Sequence, residues 1–273
     1  MMRPSAKRYK STLGGKEAFL IRSLAERRKT IFTIEDATHA VGPNAKKIVY
    51  RLVTKKWVLP LKRGLYAMAP LDVGVKGADA FVVHNFVVAS MLIEPYYIGY
   101  WSALNHHGLT DQIPRTTFIA TTKARHPLKV LDDEYYFVKQ SNSKFFGWVE
   151  TEVEDHVVRI SDPEKTVADC LDHPEHCGGI EQIARAIYFS HEEINLKRVV
   201  KYAHRMGNRT IEKRLGHVLE VTGLLPEHEK LFAGFKPSAG FPKLDPLSPK
   251  TGKYDGRWNL LINYRINPEE WRY

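Results

Sequence analysis

The chain has 273 residues, 43% hydrophobic and 26% charged, which bounds it to one large or two modest soluble domains. Its longest apolar run, 81–93, is broken by His84, Asn85 and Ser90 and falls short of the roughly 18 residues a membrane span needs; the basic N-terminus lacks the apolar stretch of a secretory signal, and two cysteines, Cys170 and Cys177, exclude a disulfide framework and favour a reducing, cytoplasmic setting. Residues 1–70 hold 16 Lys and Arg against 4 Asp and Glu, whereas the other 203 hold 25 against 27, so the whole net charge of +10 sits in the first quarter.

In chain order, 1–15 reads as a loose basic arm (Arg3, Lys7, Arg8, Lys10) closed by Gly14-Gly15. Apolar residues at Phe19, Leu20, Leu24 and Ala25 predict an amphipathic helix over 16–29. Thr33 is placed to cap a second helix reaching about His39, with Glu35 and Asp36 in its first turn. Val41-Gly42-Pro43 breaks the chain, and a third helix follows over 44–56, capped by Asn44 or the residues just before it. After Trp57, the runs 58–62 and 65–68 predict a hairpin with Arg63-Gly64 at its tip, ended by Pro70. Three helices, a tight turn before the third and a basic two-stranded ribbon are the parts of a winged helix-turn-helix, here 16–70.

The Gly-rich stretch 71–78 reads as a linker. A long apolar helix is predicted over 79–93 and a short one over 101–107, stopped by Gly108. Strands are predicted at 116–122, 134–139, 145–153 and 156–160, with turns at Asn142-Ser143 and Glu154-Asp155. Asp162-Pro163-Glu164 opens a helix: an Asp cap, proline at the first helical position, then an acid in the first turn. Further helices are expected at 180–190, 196–206, 210–222 and near 227–232; 234–257 reads as an extended loop and 258–266 as a late strand returning to the sheet. The expected fold class is therefore α/β (α+β), a winged helix-turn-helix followed by a mixed α/β domain over 79–273.

On the third helix, Ile48, Leu52 and either Val49 or Val53 form the core stripe, sealed by Trp57. Asn44, Lys47, Tyr50, Arg51 and Thr54 fall on the opposite face, and these side-chain types reach base edges and phosphates in a major groove. Lys46, Lys55 and Lys56 flank that face and suit phosphate, and Lys62-Arg63-Gly64 brings two cations to the wing tip. A basic reader on a near-neutral body is the electrostatic footprint of a nucleic-acid binder, and the absence of an aromatic ladder favours duplex DNA over single strands.

Catalytic signatures are weaker. There is no phosphate-cradling Gly-rich loop, nucleophile elbow or zincin helix, and the chain gives no reason to expect a cofactor or metal. The run from Cys170 through Asp172, His173, Glu175 and His176 to Cys177 fits a helix end, with Cys170 buried and the histidines exposed, better than a zinc site; His106-His107 reads as a helix C-terminus. Asp132, Asp133 and Glu134 with Lys139 keep open the alternative of a winged-helix-tethered, metal-dependent nuclease or nucleotide-handling enzyme. An RNA or protein scaffold is a third reading.

Three stretches taken together, RLVTKKWVLPLKRGLYAMAP at 51–70, EPYYIGYWSALNHHGLTDQIP at 94–114 and SDPEKTVADCLDHPEHCGG at 161–179, with RLGHVLE at 214–220, resemble the AbiEi antitoxins of abortive-infection type IV toxin–antitoxin systems. The resemblance spans about residues 16–225. It implies a repressor whose N-terminal domain binds inverted repeats in its own promoter. It also implies a C-terminal domain that counteracts a nucleotidyltransferase-type toxin without a required stable complex. Any partner surface there is expected at Glu164, Lys165, Asp169 and Asp172, taken as exposed.

Overall fold

A computed structural model describes residues 12–69 and 83–271, so the basic arm residues Arg3, Lys7, Arg8 and Lys10, the linker 71–78 and the start of the helix expected at 79 lie outside the described residues. The chain divides into two compact units, residues 1–84 and 85–273. Mixed α/β architecture is what the structure shows. Among the described residues no helix is long and apolar enough to cross a membrane.

The first unit begins with α1 (Gly15–Glu26), which buries Leu20, Ile21 and Leu24 while Phe19 and Ala25 face solvent, so the apolar stripe is turned slightly from the expected one. A short strand the sequence reading lacked, β1 (Ile31–Thr33), leads into α2 (Ile34–Val41). Thr33 caps α2 reciprocally: its hydroxyl accepts from the Asp36 N–H at 3.1 Å and its own N–H donates to Asp36 at 2.8 Å. A 3-10 turn, Gly42–Asn44, then starts α3 (Ala45–Thr54). Gly42 takes φ +75 there, a conformation Cβ-bearing residues rarely adopt, and Asn44 makes no side-chain cap bond, contrary to expectation. The hairpin β2 (Val58–Lys62) and β3 (Leu65–Met68) pairs with β1 in the order β1-β3-β2. Pro60 sits on edge strand β2, where its missing N–H costs no ladder bond. Ala45, Ile48, Val49 and Leu52 of α3 close the core with α1, Phe32 and Val58, and Trp57 packs against it partly buried.

The second unit opens with α4 (Asn85–Leu92), shorter than expected because residues 83 and 84 are not helical. A two-residue strand, β4 (Tyr97–Ile98), and α5 (Tyr100–His106) follow; β5 (Thr116–Thr121), β6 (Leu128–Val130), β7 (Asp133–Lys139), β8 (Trp148–Val153) and β9 (His156–Ser161) complete a six-stranded mixed sheet in the order β6-β7-β5-β4-β9-β8. β4 runs antiparallel to β5 and parallel to β9, which makes two residues the seam of the sheet. β8 starts at Trp148 rather than 145, because Gly147 at φ +76 turns the chain against the Lys165 side chain, where a Cβ would lie 3.0 Å from it. The β8–β9 turn at Glu154-Asp155 is as expected, with both residues at positive φ.

Alternation sends Tyr97, Ala120 and Val138 into the large core with the helices that follow, and turns the equally buried Ile98, Ile119 and Phe137 to the other face. Those helices are α6 (Pro163–Asp172), α7 (Ile180–Ser190), α8 (Leu196–Met206), α9 (Arg209–Val221) and α10 (Leu225–His228), the last continuing as a 3-10 turn. The C-terminal expectation is corrected. The loop after 234 ends in β10 (Lys253–Asp255), which pairs with β11 (Leu260–Ile262) in a separate two-stranded sheet, and among the described residues no C-terminal strand returns to the six-stranded one. Trp258 turns inward beneath Gly216 of α9 instead of extending the strand.

Candidate nucleic-acid interface

The burial of Ala45, Ile48, Val49 and Leu52 fixes the rotation of α3 and leaves Asn44, Lys46, Lys47, Tyr50, Arg51 and Thr54 exposed on its opposite side; Tyr50 is 73% exposed. Thr54 spends its hydroxyl proton on the Tyr50 carbonyl at 3.0 Å. Arg63 is exposed at the wing tip and Lys62 half-buried beside it. Gly64 at φ +82 makes this tight turn possible, and its carbonyl accepts from the Ile34 N–H at 3.1 Å, tying the wing to the start of α2. Between α3 and the wing lies a cleft of about 690 Å³ that brings Lys46 and Tyr50 of the helix together with Arg63 and Tyr66. Tyr66 was not singled out from sequence; it is half-buried, packs against the core of this unit and stacks on Phe32 with centroids 5.7 Å apart.

Pairing elsewhere in this unit sharpens the contrast. Lys29 is bonded to Asp36, Arg22 to Glu26 at 2.8 Å and Lys55 to buried Glu17 at 2.6 Å. Lys55 also donates to the Thr12 carbonyl at 2.9 Å, so this predicted phosphate contact is instead a strut between α3 and α1. The Lys55 bond, with the Gly14 N–H, holds the Glu17 carboxyl below the usual range. Among the described residues Lys46, Lys47 and Arg63 make no ion pair. Three acids of the unit, Glu17, Glu26 and Asp36, are thus bonded to cations away from the outer face of α3, which stays cationic.

The residues expected to serve a partner surface in the second unit are not on a surface. Glu164, Lys165, Asp169 and Asp172 are all buried. Lys165 and Asp169 form an ion pair one helical turn apart, both fully buried. Around it the Tyr97 hydroxyl donates to Asp169 at 2.8 Å, and Gln140 donates to Asp169 at 3.2 Å and to the Tyr100 hydroxyl at 2.8 Å. Burial raises the Asp169 pKa against the pull of Lys165, and pushes both tyrosines well above their ordinary value. Asp172 is held by Lys144 and Asn208, Glu164 by Arg198 at 3.3 Å. The reason is position: α6 is covered by α5, α8 and α9, so its polar side chains are cross-links.

The other chemical candidates also resolve. Glu134 and Lys139 stand five residues apart on β7 and so point to opposite faces, and the structure does not bring them together. Cys170 and Cys177 are buried free thiols. His173 and His176, expected exposed, are half-buried, stacked on each other with centroids 5.6 Å apart and packed against Tyr100. His107 bonds the Ser161 carbonyl at 2.7 Å.

The fold is similar to that in the crystal structure of RV2827C protein from Mycobacterium tuberculosis, with a TM-score of 0.68 over 93% of this chain and 94% of that one. Identity is 12%, so the likeness is one of fold. None of the curated proteins matches the chain. Residues 20–69, from α1 through the wing, match the family described as "Transcriptional regulator, AbiEi antitoxin", the family the winged-helix part of this chain resembles.

Proposed function

We propose that this chain is a DNA-binding transcriptional repressor and the antitoxin of a type IV toxin–antitoxin system. It binds inverted repeats in its own promoter and counteracts a nucleotidyltransferase-type toxin. The observation that carries the DNA half is the cationic outer face of α3, with Lys46, Lys47, Tyr50 and Arg51 exposed and Arg63 of the wing across one cleft from it. In this reading α3 enters the major groove, where Arg51, Asn44 and Tyr50 meet base edges. Lys46, Lys47, Lys62 and Arg63 meet phosphates, and occupancy blocks transcription. The toxin half is supported by the family match of the first unit.

Fluorescence anisotropy of the chain on a labelled duplex from upstream of its own gene, beside a shuffled duplex, tests the first half. Neutralising about four phosphates per chain gives a log–log salt slope of roughly −3 to −4, with tighter binding to the upstream duplex. Affinity equal on both duplexes and flat in salt contradicts the reading. Co-expression with an adjacently encoded nucleotidyltransferase tests the second half, with restored growth as the expected outcome.

A further inference from the structure

Helix α9 carries His217 and Glu220 three residues apart, hence on one face, and that face meets the β10–β11 hairpin at Asp255. His217 is 8% exposed and its Nδ1 has no hydrogen-bond partner, an orphaned polar atom of the kind that calls for an explanation. The nearest acceptor, Asp255 Oδ2, stands 3.7 Å away, too far for a hydrogen bond. It is close to the separation of two ligands on one metal ion, since donors about 2.1 Å from a tetrahedral zinc lie roughly 3.4 Å apart.

The carboxylates are held in place for such a role. Asp255 Oδ1 accepts the backbone N–H groups of Arg257 at 2.7 Å and Trp258 at 3.4 Å, which aims Oδ2 at His217. Glu220 is fixed by Arg257 at 2.6 Å on one oxygen and by the Trp258 indole N–H at 2.6 Å on the other, and each oxygen keeps a further lone pair. The three donor atoms all lie within 4.8 Å of one another. The hairpin that supplies Asp255 is a two-stranded sheet of three residue pairs, too small to be stable alone, and gains most from being clipped to a helix.

We propose that His217, Glu220 and Asp255 bind a divalent transition-metal ion of the zinc type, which pins the β10–β11 hairpin to α9 and leaves one coordination position to water. One nitrogen and two oxygens suit such an ion. The second His-rich cluster, His173, Glu175 and His176, is less suited: neither imidazole offers an unpartnered buried nitrogen, and His173 Nδ1 is already bonded to Glu175 at 3.0 Å.

The test uses the full chain without a histidine tag, stripped with chelator and titrated with zinc chloride against a chromogenic chelator. Cobalt(II) absorption reports geometry and thermal unfolding reports the clip. One zinc equivalent that His217→Gln and Asp255→Asn each weaken at least tenfold, with a metal-dependent rise in Tm absent from both, supports the site. The double variant His173→Ala/His176→Ala serves as the control and keeps that equivalent. Zinc bound equally by wild type and His217→Gln, an equivalent lost only in the double variant, or no stoichiometric zinc at all overturns it. Far-ultraviolet circular dichroism of each variant shows that it is folded before it is scored.

Discussion

Helices α3 and α6 are each ten residues long, each rich in charge, and they use that charge in opposite ways. On α3 the apolar residues take the core and the cations look outward, with Lys46 and Lys47 in no ion pair among the described residues. On α6 every residue from Glu164 to Asp172 is buried, and Lys165, Asp169 and Asp172 are bonded to groups on other elements or to each other. A charged side chain on a helix therefore reports function only where its neighbours leave it unspent. In the first unit Lys46 and Lys47 of α3 and Arg63 of the wing stay outside any ion pair among the described residues, as do exposed Lys16, Arg27 and Arg28 on and after α1; in the second, the charges on α6 hold the layers together.

The largest effect expected from this contrast is on stability. Asp169→Ala strands Lys165 in the interior and should destabilise the chain by about 3–5 kcal/mol, read by urea unfolding. The double replacement Lys165→Met/Asp169→Leu should recover most of that loss, because a buried pair exchanged for apolar groups is often near neutral. A single variant no less stable than wild type breaks the picture of α6 as a cross-link. Arg51→Ala should do the reverse, leaving stability within about 0.5 kcal/mol while costing about 1–3 kcal/mol of binding to the upstream duplex and relaxing sequence preference. Lys62→Ala should weaken upstream and shuffled duplexes alike, by less. Equal losses for Arg51→Ala on both duplexes would remove the distinction between base reading and phosphate contact.

A smaller effect separates the units by pH. The bond from Lys55 lowers the folded-state pKa of Glu17, so its contribution to the first unit is full above the unfolded value of about 4.3 and is lost as pH falls through the lowered one. Thermal unfolding followed from neutral to acid pH should show this loss, and Glu17→Gln should flatten that part of the profile. A profile identical in wild type and variant would mean that the Lys55 strut contributes nothing.

Local chemistry made much of the fold legible. Thr33 with Asp36, and Asp162 with Pro163, are helix starts written in adjacent residues, and the structure caps α2 and α6 with them. Helices α7 and α8 follow their 3.6-residue pattern to the predicted ends. What stayed hidden depends on distant partners. β4 is two residues long and exists because β5 and β9 flank it; β1 and β6 are three-residue strands with the same dependence. The C-terminal strand pairs with its own hairpin because Trp258 is drawn under Gly216, a contact no pattern in 234–266 announces. The α3 face was legible because one helix's rotation follows from its own apolar stripe. Lys55 was misplaced because its partner, Glu17, lies 38 residues away. The charges of α6 were misread as surface for the same reason: their partners come from strands and helices elsewhere in the unit.

The most direct measurement compares two charge-matched triple variants on the upstream duplex by anisotropy across one salt series. Lys46→Ala/Lys47→Ala/Arg51→Ala removes cations from the outer face of α3, and Lys197→Ala/Lys201→Ala/Lys230→Ala removes three exposed lysines from the second unit. With net charge lowered equally, the account predicts that the first variant loses binding by at least about 100-fold, from three contacts of about 1 kcal/mol or more each, and flattens the salt dependence, whereas the second stays near wild type. Equal losses in the two variants, or a loss confined to the second, would contradict it.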